Sequence, residues 1–522
     1  MRLLRHLFLR LLPLAILVGG GFLLFTSAGI VQDSRFESIN TKSGPASGYT
    51  SGNFDSMVSM QNAAKTQYVR ETLDWSQIET TEGTYNWASP TPYASLFASE
   101  KAAGLKVVAV LSGGPTYLTG SNGDVIDAAA FLVRWANFVQ SAVDTLGTQV
   151  DVWEIGEQIN TSTGMSAYIT PAVPSSSTTP DPALYAKMLI VASKIIKAAD
   201  PNEEVWMGSL ISASAGSCAM NPLTFLLEVN GASGFRSIDS IVYTPMRGAV
   251  SPETALTSTN STCVSSLPAA GTTLSGEVQA LQDLARQLGG KTLRIEGLGW
   301  TADELTTLAA NRAISSDQVL GDELTRATVQ LAANNGINTF FWKSDPGENS
   351  TVFTTLTNLN SVLEGASFQS QPQGQSGSVY EYRFTKGSQW IIIAWRAQDG
   401  DSPIPVTLSN LSVSSLTAYS VDAAGFISAN GTPIQVDASG STTLYLNERP
   451  VVFIGKTADL AQALQQDGAA QTAQLKYEAK LASHRMVNEA KAAILHALKE
   501  MLTSAEDKAV NWGKEQLNSL LN

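Results

Sequence analysis

Between residues 34 and 366 the chain alternates, with few breaks, between short β-rich runs and longer helical stretches, and this alternation constrains its fold more than any other feature. The β-rich runs fall at 68–75, 105–113, 150–157, 203–211, 237–245, 291–300 and 337–344. Stretches 129–143, 183–199, 276–289 and 322–336 carry apolar residues three and four apart, the period of a helix with one buried face, and 351–365 closes the series. A strand near 36–40 and a helix near 54–64 complete eight units. Strands separated by helices pair in parallel. Eight such units in about 330 residues predict an α/β fold, a (β/α)8 TIM barrel over 31–367, rather than an open sheet. No Gly-rich phosphate loop follows the first clear strand, which argues against a dinucleotide-binding fold.

The pattern changes at 370–378, a Gly/Gln/Ser segment. Short alternating runs follow at 379–385, 390–397, 405–411, 416–422, 433–438, 442–447 and 451–455, separated by turn residues, so 376–456 reads as a small antiparallel β-sandwich. Beyond it, 457–522 is rich in Ala, Lys, Glu, Gln and Leu. Val487, Ala490, Ile494, Leu498, Met501 and Ala505 form an amphipathic stripe with mixed charges opposite. That describes a helical tail packing on itself or on a protein partner, or making an oligomer, rather than one lying in a membrane surface. At the other end, Arg2, Arg5 and Arg10 precede an apolar run to Phe25 and the small residues Thr26, Ser27 and Ala28. This order marks 1–30 as an export signal, either cleaved or kept as a membrane anchor, and places the protein outside the cytoplasm.

Composition narrows the chemistry. Thirty-three Lys and Arg against 46 Asp and Glu give a net charge of −13, so nucleic acid, which demands a basic face, is excluded as a partner. The three histidines, His6, His484 and His496, all lie near the chain ends, and there are two cysteines, Cys218 and Cys263. Ser-His-Asp and Cys-His catalysis and Cys/His zinc sites are therefore ruled out for the body of the chain. No metal or cofactor is called for. What remains is carboxylates, Lys, Arg and Tyr. Enzymes on a (β/α)8 barrel act at the C-terminal strand ends. Glu157 follows the fourth expected strand, Glu296 lies in the seventh and Arg70 in the second, with Trp75, Trp300 and Trp342 at or after strand ends. Opposed carboxylates with aromatic walls are what glycosidic cleavage needs: one acid protonates the leaving oxygen, the other attacks or activates water, and sugars stack on indoles.

At these residues the sequence resembles the clan A glycoside hydrolases, nearest to the family 39 β-xylosidase-like branch. Residues 68–87 are similar to its Arg…Trp…Ile-Glu…Gly-x-Tyr-x-Trp signature. WEIGEQIN (153–160) resembles Trp-Glu-Ile-Gly-Asn-Glu-Pro-Asn around the acid/base, and IEGLGW (295–300) resembles Ile-Thr-Glu-x-Gly-Trp around the nucleophile. SIDSIVYTPM (237–246) is similar to the sixth-strand motif ending in His-x-Tyr. The resemblance covers about 34–456 and implies the barrel, the sandwich and a carbohydrate ligand. Matched without gaps, however, the family's acid/base falls on Gln158, its nucleophile on Gly297, and its His and Tyr on Thr244 and Met246, while Arg70 is kept. Gln carries no acidic proton and Gly has no side chain to attack with.

Three expectations follow from this mismatch. The first is a glycoside-hydrolase-like protein that binds a polysaccharide or oligosaccharide without ordinary turnover. The second is an active hydrolase using the shifted pair Glu157 and Glu296. The third is a structural envelope protein assembled through its tail. The ligand-contacting set is expected to be Arg70, Gln158, Asn160, Tyr243, Trp300 and Trp342, with Tyr243 equally readable as core. Trp75 and Trp87 read as packing residues, and Glu154 as half of an ion pair low in the barrel. Cys218 and Cys263 follow neighbouring strands on one face, where a disulfide would stiffen the mouth.

Overall fold

A computed structural model describes residues 39–40, 67–118, 128–161, 164, 180–212, 220–255, 273–334, 340–343, 350–372, 379–397, 403–420 and 431–456, apart from positions 90, 246, 313, 412 and 414. The N-terminal segment 1–30, the helix expected near 54–64, Cys218, Cys263, Met246 and the tail 457–522 lie outside the described residues. Among the described residues nine strands form a parallel sheet: β1 (Ile39–Asn40), β2 (Tyr68–Asp74), β3 (Lys106–Ser112), β4 (Val152–Ile155), β5 (Glu204–Met207), β6 (Leu210–Ile211), β7 (Ser240–Thr244), β8 (Thr292–Leu298) and β9 (Phe340–Lys343). Their order is β1-β9-β8-β7-β5-β4-β3-β2, with β6 on β7, and the two ends of that order, β1 and β2, touch. The result is an α/β barrel-like fold.

The expected run 203–211 divides into β5 and β6 at Gly208. A Cβ on Gly208 would stand 2.3 Å from the Ile155 carbonyl oxygen, so only glycine lets the two strand ends approach this closely. Tyr185 splints the same junction, donating from its hydroxyl to Ile155 O at 2.6 Å and accepting from Gly208 N at 2.8 Å.

The described helices are α1 (Trp75–Ile78), α2 (Tyr93–Ala102), α3 (Ala128–Leu146), α4 (Pro182–Ala199), α5 (Pro222–Gly231), α6 (Leu274–Gln287), α7 (Ala302–Arg312), α8 (Ser316–Ala333) and α9 (Ser350–Leu363). Asp181 and Asn221 cap α4 and α5 by accepting from first-turn amides, each followed by proline, whose missing N–H costs nothing there. Strand alternation sorts the apolar side chains. Val69, Leu73, Trp153, Ile155, Ile241, Leu293 and Ile295 face the helices and share one core with them. Tyr68, Val108, Val152, Trp206 and Val242 form a separate cluster inside the ring of strands. This inner cluster is the floor on which the site is built.

Eight further strands follow: β10 (Ser367–Ser370), β11 (Val379–Lys386), β12 (Gln389–Arg396), β13 (Ile404–Leu408), β14 (Ser415–Ser420), β15 (Thr432–Gln435), β16 (Thr442–Leu446) and β17 (Val451–Lys456). They make two antiparallel sheets, β10-β11-β12-β17-β14-β15 and β13-β16. Alternation gives the larger sheet two apolar faces. Ile392, Ala394, Leu416 and Phe453 meet Val406, Leu408, Leu444 and Leu446 of the smaller sheet. Tyr382, Phe384, Ile391, Ile393, Trp395 and Val452 join the core of the barrel-like part.

Candidate functional site

Alternation along β2 turns Tyr68, Arg70 and Thr72 inward, and along β8 it turns Arg294 and Glu296 inward. Arg294 lies over the Trp206 ring, 4.9 Å from guanidinium to centroid, closing the floor. One layer above, Arg70 is almost wholly buried and meets three carboxylates. Glu154, inward on β4, grips it with two parallel bonds, Nε to Oε2 at 2.9 Å and Nη2 to Oε1 at 3.0 Å. The remaining nitrogen, Nη1, lies 3.1 Å from Glu157 Oε1 and 3.0 Å from Glu296 Oε1. Two oxygens that close to one nitrogen can be no more than about 6 Å apart. A shared nitrogen of this kind admits the roughly 5–5.5 Å between carboxyl groups of retaining glycosidases.

The two acids differ in access. The Glu157 side chain is 23% exposed and that of Glu296 only 6%. Ser112, at the end of β3, donates to Glu157 Oε2 at 3.5 Å, and Thr244, at the end of β7, donates to Glu296 Oε2 at 3.4 Å. Burial pulls the Arg70 guanidinium down, but the carboxylates, Glu154 foremost, push it up and prevail, so it stays charged. Burial pushes Glu154 up to about 8, with Arg70 pulling against the shift and Glu296 and Glu157 adding to it. One guanidinium cannot neutralise three carboxylates, and a proton retained on the cluster removes part of the excess charge.

Backbone geometry aims both acids. From Ile295 to Leu298 β8 advances three residues while β9 advances two, Phe340 to Trp342, so β8 carries one extra residue. This is a β-bulge, with Gly297 at φ +62. The ungapped match had set the family's nucleophile on Gly297; the bulge absorbs one residue and leaves Glu296 facing inward. On β4 the chain turns at Gly156 (φ +92) and again at Gln158 (φ +48), delivering Glu157 to Arg70. A positive φ at Gln158 is uncommon for a residue with a side chain. It is held by bonds from Gln158 N to Ser209 Oγ at 3.0 Å and from Ile159 N to Ser209 O at 3.0 Å.

The remaining expected residues lie as follows, with Asn160 and Trp300 corrected. Asn160 is fully buried and belongs to the scaffold: its amide donates to Ile211 O at 2.9 Å and Met220 O at 2.8 Å, and its oxygen accepts from Ile211 N at 2.9 Å. Tyr243 faces the helices, because alternation on β7 turns Val242 inward and Tyr243 out; its hydroxyl donates to Glu277 Oε2 at 3.0 Å. Trp300 is 6% exposed, packs in the core and donates its indole N–H to Val250 O at 3.3 Å, so it braces a loop rather than forming an open wall. Trp342 pairs with Ile39 and Leu298 through its backbone, and its side chain lies outside the described residues. Trp75 and Trp87 both stack on Phe138, at 4.9 and 5.8 Å between centroids. Ser112 was missed, and Thr244 was noted only as the place of the family's histidine, although both end strands, where the barrel rule would have looked.

No protein-family model and no curated protein matches the chain. Solved structures do. A family 39 glycoside hydrolase from the gut symbiont Bacteroides cellulosilyticus aligns over 81% of this chain and 82% of its own, with a TM-score of 0.57 and 16% identity. A family 44 xyloglucanase from Paenibacillus polymyxa aligns over 82% and 97% (TM-score 0.49, 11% identity), and a family 30 endoxylanase from Clostridium papyrosolvens over 81% and 96% (TM-score 0.48, 14% identity). At 16% identity the first likeness is one of fold: this chain shares the fold of that family 39 glycoside hydrolase.

Proposed function

We propose that this protein binds a polysaccharide or oligosaccharide above Arg70 and cleaves its glycosidic bonds with a displaced carboxylate pair. The reading takes the parallel sheet as a (β/α)8 barrel closed by β1 against β2, with a β-sandwich beside it. One observation carries it: Glu157 and Glu296, from well-separated strands, meet the same nitrogen of one buried arginine. Their environments divide the work. Glu296, nearly closed off and held by Arg70 and Thr244, is the nucleophile that attacks the anomeric carbon. Glu157, open to water, protonates the leaving oxygen; it then takes a proton from the water that attacks the anomeric carbon and breaks the sugar's bond to Glu296. The N-terminal order of arginines, apolar run and small residues supports export to where such polymers lie.

A second reading, binding without turnover, is favoured by Gln158 at the family's acid/base position and by Arg70 spanning both acids. Turnover of aryl xylosides and glucosides, and of soluble xylan and xyloglucan, separates the two. Glu157→Gln and Glu296→Gln are each expected to lower kcat/KM by about 10²–10⁴-fold, the size of a lost acid/base or nucleophile role. The Glu157→Gln loss should be smallest on aryl glycosides, whose leaving groups need no proton. Binding of the polysaccharides in affinity electrophoresis with no turnover would establish the second reading, and neither binding nor turnover would sink both.

A further inference from the structure

A second buried polar cluster lies where α7, α8, the larger antiparallel sheet and the segment after β7 meet. Glu253, in that segment, accepts at Oε1 from Gln330 Nε2 and Trp395 Nε1, both at 2.8 Å, and from Arg326 Nε at 3.2 Å. Its other oxygen lies 2.9 Å from Arg326 Nη2. Arg326 also reaches Glu323 Oε1 at 2.9 Å, and Glu323 accepts from Ser251 Oγ at 3.2 Å and Arg312 Nη2 at 2.5 Å. The Trp395 ring stacks between Tyr380 and Tyr382, with centroids at 5.7 and 5.4 Å. All these charged groups are buried, and a buried ionic network is a weak source of stability but can select one geometry.

The geometry it selects borders the carboxylate site. The segment held at Ser251 and Glu253 starts at Thr244, whose hydroxyl donates to Glu296, and its Val250 carbonyl accepts from the indole of Trp300, four residues beyond Glu296. Between these points Arg247 is cross-braced, 3.1 Å from Glu277 Oε1 and donating to Thr254 O. The Glu296 carboxylate and the chain four residues beyond it are thus tied to one segment, and that segment is fastened at its far end to a tryptophan of the other sheet. We propose that Trp395 is a positioning residue for Glu296: the antiparallel sheet fixes the 244–254 segment through Glu253, and the segment fixes the carboxylate. The effect on turnover rests on the function proposed above; the fastening of the segment does not.

Trp395→Phe tests it, because Phe keeps the ring between Tyr380 and Tyr382 and removes the indole N–H. In the full unliganded chain, the amides of Val250, Thr254 and Leu274, which bond within or onto this segment, are expected to exchange hydrogen at least tenfold faster, with Ile392 of the sheet unchanged. On aryl glycosides kcat should fall about tenfold with KM unaltered, and Trp395→Phe combined with Trp300→Phe should cost no more than the larger single change. Unchanged exchange at Val250 and Thr254, or equal loosening of the whole sheet, overturns the inference. So does a loss carried by KM, or one that adds fully to that of Trp300→Phe. If wild type turns over none of the substrates, the proposed hydrolysis fails, while hydrogen exchange still decides the positioning claim.

Discussion

Glu154 sets where Arg70 can point. A carboxylate that grips both donors along one edge of a guanidinium fixes its plane, and here that plane presents Nη1 to Glu157 and Glu296. Its upward-shifted pKa of about 8 makes the grip depend on pH. An unfolded glutamate titrates near 4.3, so between about 4.3 and 8 the folded chain holds a proton that the unfolded chain has lost. Folding therefore gains from this group at low pH and loses the gain as pH rises through that window, by up to roughly 1.4 kcal/mol per pH unit. A glutamine in its place does not ionise, so in urea unfolding the stability of wild type relative to Glu154→Gln should decline from about pH 5 to 8 and level off above. A difference constant across that range would place the proton elsewhere. Glu157, Glu296 and Arg70 were legible in the sequence as charged residues on or just after expected strands, and Glu154 as half of an ion pair low in the barrel, which it makes with Arg70. Asn160 was misread and Tyr243 stayed open between core and cleft, because their hydrogen-bond partners, Ile211, Met220 and Glu277, lie 34 to 60 residues away along the chain.

Apolar periodicity exposed most elements, including α6 and α8, whose faces also bury Glu277, Gln282, Asp322 and Glu323, but not the short α5. The helices over 128–146 and 182–199 and the runs of the antiparallel sheets follow the hydrophobic period closely. Two unread helices, α2 and α7, follow the same spacing but end it in a charge: Tyr93, Leu96, Phe97, Glu100 and Leu305, Leu308, Ala309, Arg312 are their buried sets. Glu100 lies against Glu71, and Arg312 against Glu323 and Ser251, partners that no window of one helix contains. The extra residue of the β8 bulge shows only against β9. Gly297 gives it a test. At φ +62 an alanine costs about 1–2 kcal/mol in the backbone alone, and its Cβ would stand 3.1 Å from Thr244 Cγ2, the side chain beside Glu296. Gly290→Ala, at φ +73 with open space around it, carries the backbone cost without the contact. Gly297→Ala should therefore destabilise more than Gly290→Ala in denaturant unfolding, and only Gly297→Ala should lower turnover. Equal effects on both counts would mean that the bulge does not aim Glu296.

At the scale of the whole molecule, the Gly/Gln/Ser segment between the two parts reads as a linker, and a linker implies modules that fold separately. The packing says otherwise. Six side chains of the larger antiparallel sheet, Tyr382, Phe384, Ile391, Ile393, Trp395 and Val452, belong to the same apolar core as the helices of the barrel-like part. At about 1.5–3 kcal/mol for each large apolar side chain buried, that contact is worth on the order of 10 kcal/mol. A domain's net stability is only about 5–15 kcal/mol, so the contact is as large as the margin by which either part stays folded. It also satisfies charges: Glu253 would lose the Trp395 N–H, and Asp322, buried on α8, would lose Arg449, whose Nε lies 3.7 Å from its Oδ2. A chain ending at residue 375 is therefore expected to aggregate, or to keep helical circular dichroism while losing a cooperative thermal transition and binding a hydrophobic dye. Adding 376–456 as a separate chain should restore cooperative unfolding if the face is recognised in trans. A soluble, cooperatively unfolding fragment would show that the barrel-like part closes its own core and that the sheet only lies against it. Trp395 would then have no firm ground from which to hold the 244–254 segment.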